Sequence, residues 1–220
     1  MKLGDLIAIV RNELDDDVAP YLWSDPEMID YAIDAENEAS RRARLLIDST
    51  TTAICQITTA AATAVYALSP LVLFIRRAKM STEDYALGRV AVRDLDYRVP
   101  GWETETGTPT HFVTDYETGK IRLYPIPNAV GTVKLTVVRM PKVDLATIND
   151  TPEIHPRLHR SLRFWMMYRA YSKQDAETKD DQKAGENLGL FEAEFGRKSS
   201  AIDEEWISRE QMGDPYDGTF

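Results

Sequence analysis

The 220-residue chain contains one cysteine, three histidines and 11 glycines. A single cysteine excludes an intrachain disulfide and any site built from several thiolates, whether zinc or iron–sulfur. No apolar run approaches the ~20 residues that a helix needs to cross a bilayer. Residues Met1 to Leu14 interrupt their apolar positions with Asp5, Arg11 and Glu13, so a secretory signal is not expected. The glycines form no phosphate-cradling loop: Gly185 and Gly189 fall in a helical pattern, and no Gly-Lys-Ser/Thr run exists. These absences predict a soluble protein made in a reducing cytoplasm, with no cofactor. With 43% hydrophobic and 28% charged residues, the composition is that of a folded domain.

Acidic residues outnumber basic ones 36 to 26, for a net charge of −10. The imbalance sits at the ends. Residues 1–50 carry 12 acids and 5 bases, residues 51–173 carry 11 and 16, and residues 174–220 carry 13 and 5. Helical periodicity follows the same division. Leu3, Leu6, Ile7, Val10 and Leu14 recur at spacings of three and four, the stripe of a short amphipathic helix. Ser24-Asp25-Pro26-Glu27 reads as a capping box opening a second helix, with a small-residue stripe of Met28, Ala32, Ala35, Ala39 and Ala43, that extends to about Ile47. After Pro152, Leu158, Leu162, Trp165 and Met166 with Phe164, Met167, Tyr168 and Tyr171 give a helix apolar nearly all round, expected at the centre of a bundle. A last helix from about Thr178 carries Ala184, Leu188, Phe191, Phe195, Ile202 and Trp206, with Gly196 as a candidate break.

The middle favours strands. Residues 50–68 are crowded with threonine, isoleucine and valine, which suit a pleated surface, and read as a hairpin turning near Ala60 to Ala62. Strands are also expected within Pro70 to Met80, over Thr110 to Asp115, Lys120 to Tyr124 and Thr132 to Met140, with a helical turn around Val92 to Tyr97. In the last strand Val133, Leu135 and Val137 alternate with Thr132, Lys134 and Thr136. The expected fold class is α+β: a mostly α-helical bundle from residues 1–49 and 150–210, a small antiparallel β domain inserted at 50–149, and a tail at 211–220 without fixed structure of its own.

Candidate chemistry is sparse. His155 and His159 lie four apart, but Pro156 separates them and no third ligand follows, so they read as a capping or surface pair. Cys55 lies in an apolar strand-like run and reads as a buried, inert thiol. Asp15-Asp16-Asp17 lacks the glycine and terminal glutamate of a calcium loop and reads as a solvated acidic turn. Glu103 and Glu105 are the carboxylate pair to weigh for a glycan hydrolase. Arg76, Arg77, Lys79, Arg89, Arg93 and Arg98 are the basic residues to weigh for a DNA-binding module, against a total charge that repels a polyanion. The same cations suit pairing with the acidic ends, within one chain or between copies.

Several stretches resemble one family. They are Pro20-Tyr21-Leu22-Trp23-Ser24-Asp25, then Glu105-Thr106-Gly107-Thr108-Pro109 followed by Gly119-Lys120-Ile121-Arg122-Leu123-Tyr124-Pro125, and a late helix with His159, Trp165, Arg169, Ala170 and Tyr171 before Lys173-Gln174-Asp175. Together they resemble the head-to-tail adaptor, or head-completion, proteins of tailed bacteriophages, over roughly residues 3–200. The resemblance implies a non-enzymatic structural protein that forms a ring of about twelve copies below the portal. Such a ring extends the DNA channel, lets DNA pass without specific binding, and offers a docking platform to tail or nozzle proteins. It further implies a place at the virion neck, assembly in the host bacterial cytoplasm, no membrane contact, and a carboxy-terminal segment that reaches a neighbour or the portal. Pro215, Tyr216 and Phe220 are the anchors on that segment, and Trp23, Arg76 and Arg77 complete the candidate partner interface.

Overall fold

A computed structural model describes residues 1–175 and 178–198. In chain order it runs α1 (Leu3–Glu13), α2 (Asp25–Ala43), β1 (Leu46–Asp48), α3 (Thr52–Cys55), β2 (Gln56–Thr59), β3 (Val65–Ala67), β4 (Val72–Met80) and β5 (Gly88–Arg89). Then follow α4 (Val92–Arg98), β6 (Thr106–Gly107), β7 (His111–Val113), β8 (Lys120–Tyr124), β9 (Ile126–Pro127), β10 (Gly131–Arg139), α5 (Leu162–Tyr171) and α6 (Asp181–Phe195). The structure is mixed α+β. It divides into two compact units, one made by Met1–Leu46 with the described part of Met140–Ser199, the other by Ile47–Arg139.

The first unit holds α1, α2, α5 and α6. The capping box forms as the sequence predicts: the Glu27 amide donates to Ser24 Oγ, and Glu27 Oε2 accepts from the Ser24 amide at 2.8 Å. A hydrogen bond from Lys173, reinforced by the Ser24 amide, lowers the Glu27 carboxyl to about 2. Helix α2 stops at Ala43, short of the expected Ile47. Arg44 takes a left-handed conformation at φ 52°, and the next residues enter β1. A non-glycine residue in this role carries no sequence signal, because the usual marker is glycine. Helix α5 buries Leu162, Trp165, Met166, Met167, Ala170 and Tyr171 and packs against α1, α2 and α6, which is why it reads as apolar nearly all round. Fully buried Ala32, Ala35 and Ala39 of α2 join the same core. Cross-helix ion pairs, Arg169 with Asp34 and Arg163 with Glu13, lie partly exposed and contribute little each. Gly196, at φ 88°, caps α6.

The second unit departs from the expected single antiparallel sheet. One four-stranded sheet has the order β1-β10-β2 with β4 also paired to β10, another runs β3-β8-β7-β5, and β6 and β9 form a two-stranded ribbon. The β5–β7 and β6–β9 pairs are parallel. The hairpin expected over residues 50–68 does not form. Thr52–Cys55 is a helical turn, β2 pairs with β10, and β3 pairs with β8. β-branched residues indicate that a segment lies on a pleated surface but not which partner it takes, and here the partners are distant in sequence. The β7–β8 hairpin and the alternation of β10 appear as expected, with Val133, Leu135 and Val137 buried. They share a core with Ile54, Cys55, Ile75, Ala78, Phe112, Ile121 and Leu123.

A buried ion pair joins the first and last strands of this unit. Arg139 Nε donates to Asp48 Oδ2 at 2.7 Å, and the two side chains are 6% and 4% exposed. Burial pushes the Asp48 carboxyl up. The Thr51 and Thr50 amides, the Thr51 hydroxyl and Arg139 more than reverse this and hold it well below the usual range. Asp48→Ala should cost about 3–5 kcal/mol in denaturant unfolding, because it removes the carboxylate partner of a buried guanidinium, whereas Asp48→Leu/Arg139→Met should recover most of that loss. The depressed carboxyl also sets a sign. Its stabilisation is complete above the unfolded value near 4 and is lost as pH falls through the folded one, so the gap between wild type and Asp48→Ala should close in acid unfolding.

Candidate functional site

Strand β4 carries the cations Arg76, Arg77 and Lys79, and its register against β10 decides how they are displayed. Lys79 pairs with Lys134 and Arg77 with Thr136, but the next pair is Ile75 with Val137, so Arg76 has no partner. A regular strand sends consecutive side chains to opposite faces. The bulge breaks that alternation: Arg76 and Arg77 are both exposed, while Ile75 and Ala78 on either side are buried. On its other edge β10 pairs Lys134 with Gln56 and Thr132 with Thr58 of β2. The outer sheet face therefore presents Arg76, Arg77, Lys79 and Lys134 among Gln56 and threonines. Among the described residues, none of these four cations has a carboxylate partner. Two lysines directly opposite each other across a sheet are destabilising. The remaining basic residues lie elsewhere: Arg89 is half-buried on β5 and donates to Thr114 Oγ1, and Arg93 and Arg98 are exposed on α4.

The Asp15–Asp17 turn is not wholly solvated. Asp16 is 3% exposed and forms an ion pair with Arg11 of α1. It also accepts from the Leu22 and Trp23 amides at 2.7 and 3.4 Å. Arg11 Nη2 donates to the Trp23 carbonyl and to Asp25, each at 2.8 Å, and the guanidinium lies 3.7 Å from the Tyr21 ring centre. One buried arginine thus ties the loop down at four points. Trp23, a candidate interface residue, is 2% exposed and belongs to the core, so its indole is not presented to a partner. Its neighbours are what the loop displays: Asp15, Asp17, Val18, Tyr21 and Leu22 are exposed.

The residues with chemical potential are engaged in structure. Glu105 accepts from Tyr124 Oη at 2.7 Å, and Glu103 from Tyr116 Oη at 3.1 Å. Burial, with the Glu105 carboxylate beside it, pushes the Tyr124 hydroxyl up to about 12. Arg122 lies between the Trp102 and Tyr116 rings, at 4.6 and 4.4 Å from their centres, and donates to the Glu103 carbonyl. The capping reading holds for His155, at the N-cap of a short helical turn, and not for His159. His155 accepts from the Arg157 amide, whereas His159 is 1% exposed and its Nε2 donates to the Ile154 carbonyl at 2.8 Å. The buried Cys55 thiol is pushed up by burial and then by the Asp48 charge. Among the described residues no three His, Cys, Asp or Glu side chains gather to hold a metal ion. A cleft of about 450 Å³ between Ala43, Leu45, Arg157, Leu158, Glu194 and Phe195 contains a single carboxylate. Pro215, Tyr216 and Phe220 lie outside the described residues.

Sequence reasoning found Arg76 and Arg77 but missed Lys134, whose side of the sheet follows from alternation and whose neighbour does not. It also missed the Val18–Leu22 surface, although apolar residues beside unneutralised aspartates were a visible signal. A sequence model of the SU10 adaptor protein family matches residues 1–213. No curated protein matches the chain.

The loop geometry makes a direct prediction. Asp16→Ala leaves the Arg11 guanidinium buried without its main partner and should cost about 3 kcal/mol or more. It should also red-shift tryptophan emission and speed proteolytic cleavage between residues 15 and 23, both measurable on the full chain.

Proposed function

The chain belongs to the SU10 adaptor protein family, and from that premise we propose that it forms a ring of about twelve copies beneath the portal of a tailed phage. In that place it extends the DNA channel and gives tail or nozzle proteins a surface on which to dock. Family membership supports a structural, adaptor role in general. The observation that carries the finer reading is the set of four cations on one sheet face with no carboxylate partner among the described residues, in a chain whose net charge is −10. Such a face favours an anionic partner, and the acid-rich ends of another copy offer one. In this reading the helices make the bundle and the sheets the inserted domain.

The role is mechanical and involves no catalysis. Glu103 and Glu105, the carboxylates weighed for hydrolysis, serve as acceptors for Tyr116 and Tyr124. DNA passes without being held, since the acidic chain repels phosphate overall. No helix among the described residues is long and apolar enough to cross a membrane, in keeping with a place at the virion neck.

Mixing the full chain with the portal of the same phage and imaging by electron microscopy tests the proposal. Rings capping the portal are expected. A protein that stays monomeric beside intact portals, or hydrolyses glycans in a manner abolished by Glu105→Gln, sinks it.

A further inference from the structure

We propose that the basic face of the β4–β10 sheet in one copy receives the Asp15–Leu22 loop of a second copy. The inference rests on the ring assembly proposed above and assigns the two surfaces that make each contact.

The receiving face has two features that a solvated surface does not need. The bulge at Arg76 sets two consecutive guanidiniums on the exposed side, where regular pairing would turn one inward. Lys79 and Lys134 stand directly opposite each other with no carboxylate between them. The lysine pair costs stability in the free chain, and an incoming anion removes that cost.

The donor is chosen among the described acids of the first unit, most of which are committed to partners, while Asp15, Asp17, Asp30, Asp144, Glu186 and Glu194 are exposed and face no cation. On α2, Asp25, Glu27, Asp34 and Glu38 hold Arg11, Lys173, Arg169 and the Arg41–Arg42 pair, and Glu36 accepts from the Glu153 and Ile154 amides. On α6, Asp181 meets Lys179, and Glu192 meets Arg42 and Arg197. Of those that face no cation, Asp15 and Asp17 are set apart because they lie next to the exposed Val18, Tyr21 and Leu22. Acid, aromatic and aliphatic groups thus occur together on one short loop. The loop is already ordered by Arg11 and Asp16, so little conformational freedom is lost when it docks. Because face and loop are different surfaces, the contact is head-to-tail, and successive copies close into a ring when the rotation permits. Duplex DNA is the competing occupant of the basic face, and the charge of the whole chain disfavours it.

The test uses full-length protein with the portal of the same phage. Arg76→Glu/Arg77→Glu and Asp15→Lys/Asp17→Lys each alter only exposed side chains, and unchanged circular dichroism and thermal unfolding show that each variant folds. Each double variant alone should raise the concentration for half-maximal ring formation by about tenfold or more. An equimolar mixture of the two should assemble near the wild-type concentration, because every contact in an alternating ring then joins opposite charges. Rings that form equally well from either variant alone, or a mixture that fails to recover, overturn the assignment while the adaptor reading stands. Salt-sensitive retention of duplex DNA by wild type that is lost in Arg76→Glu/Arg77→Glu makes DNA the occupant and also overturns it. Absence of rings from wild type itself removes the adaptor reading and this contact together.

Discussion

The sheet unit depends on one ion pair. Its chain enters at Ile47 and leaves at Arg139, so the first and last strands must lie side by side, and Asp48 and Arg139 meet at that junction. Neither charge is stable alone in so dry a place. Asp48 is matched by two amides, two hydroxyls and a guanidinium. An apolar pair would hold the strands together equally well but with less precision in position, because its contacts tolerate sliding.

Strand β10 then organises what surrounds it. It pairs with β1, β2 and β4, and its alternation commits Val133, Leu135 and Val137 to the core and Lys134 to the outer face. The bulge in β4 is the local adjustment that keeps Ile75 and Ala78 buried against this template while both arginines remain outside. The same pairing that builds the core therefore builds the cationic face. In the helical unit Arg11 has a comparable part, converting a run of three aspartates into one buried acceptor and two exposed charges.

Features set by near neighbours were legible in the sequence. The Ser24–Glu27 box, the β7–β8 hairpin and the stripe of α5 need only local spacing, and the structure has them where periodicity puts them. Features set by distant partners were not. Residues 50–68 carry a strand signal, but β2 and β3 join different sheets, pairing with β10 and β8, which lie far off in sequence. Helix α2 ends at an arginine, where no glycine announces the turn. Asp16 and His159 read as solvated because their burial depends on Arg11 and Ile154, partners that composition does not reveal. The bulge left no trace at all, since neither glycine nor proline marks it. Of the candidate interface residues, Arg76 and Arg77 stand exposed, whereas Trp23, the conspicuous residue of its motif, turned inward and left its neighbours on view.

Cys55, the chain's single thiol, is sealed beneath the sheet and made less acidic by its surroundings. It is silent toward reagents while the sheet stays shut, and every modification event records an opening of that unit alone. The protein thus carries an internal clock for the breathing of one of its halves, undisturbed by any second sulfhydryl in the chain.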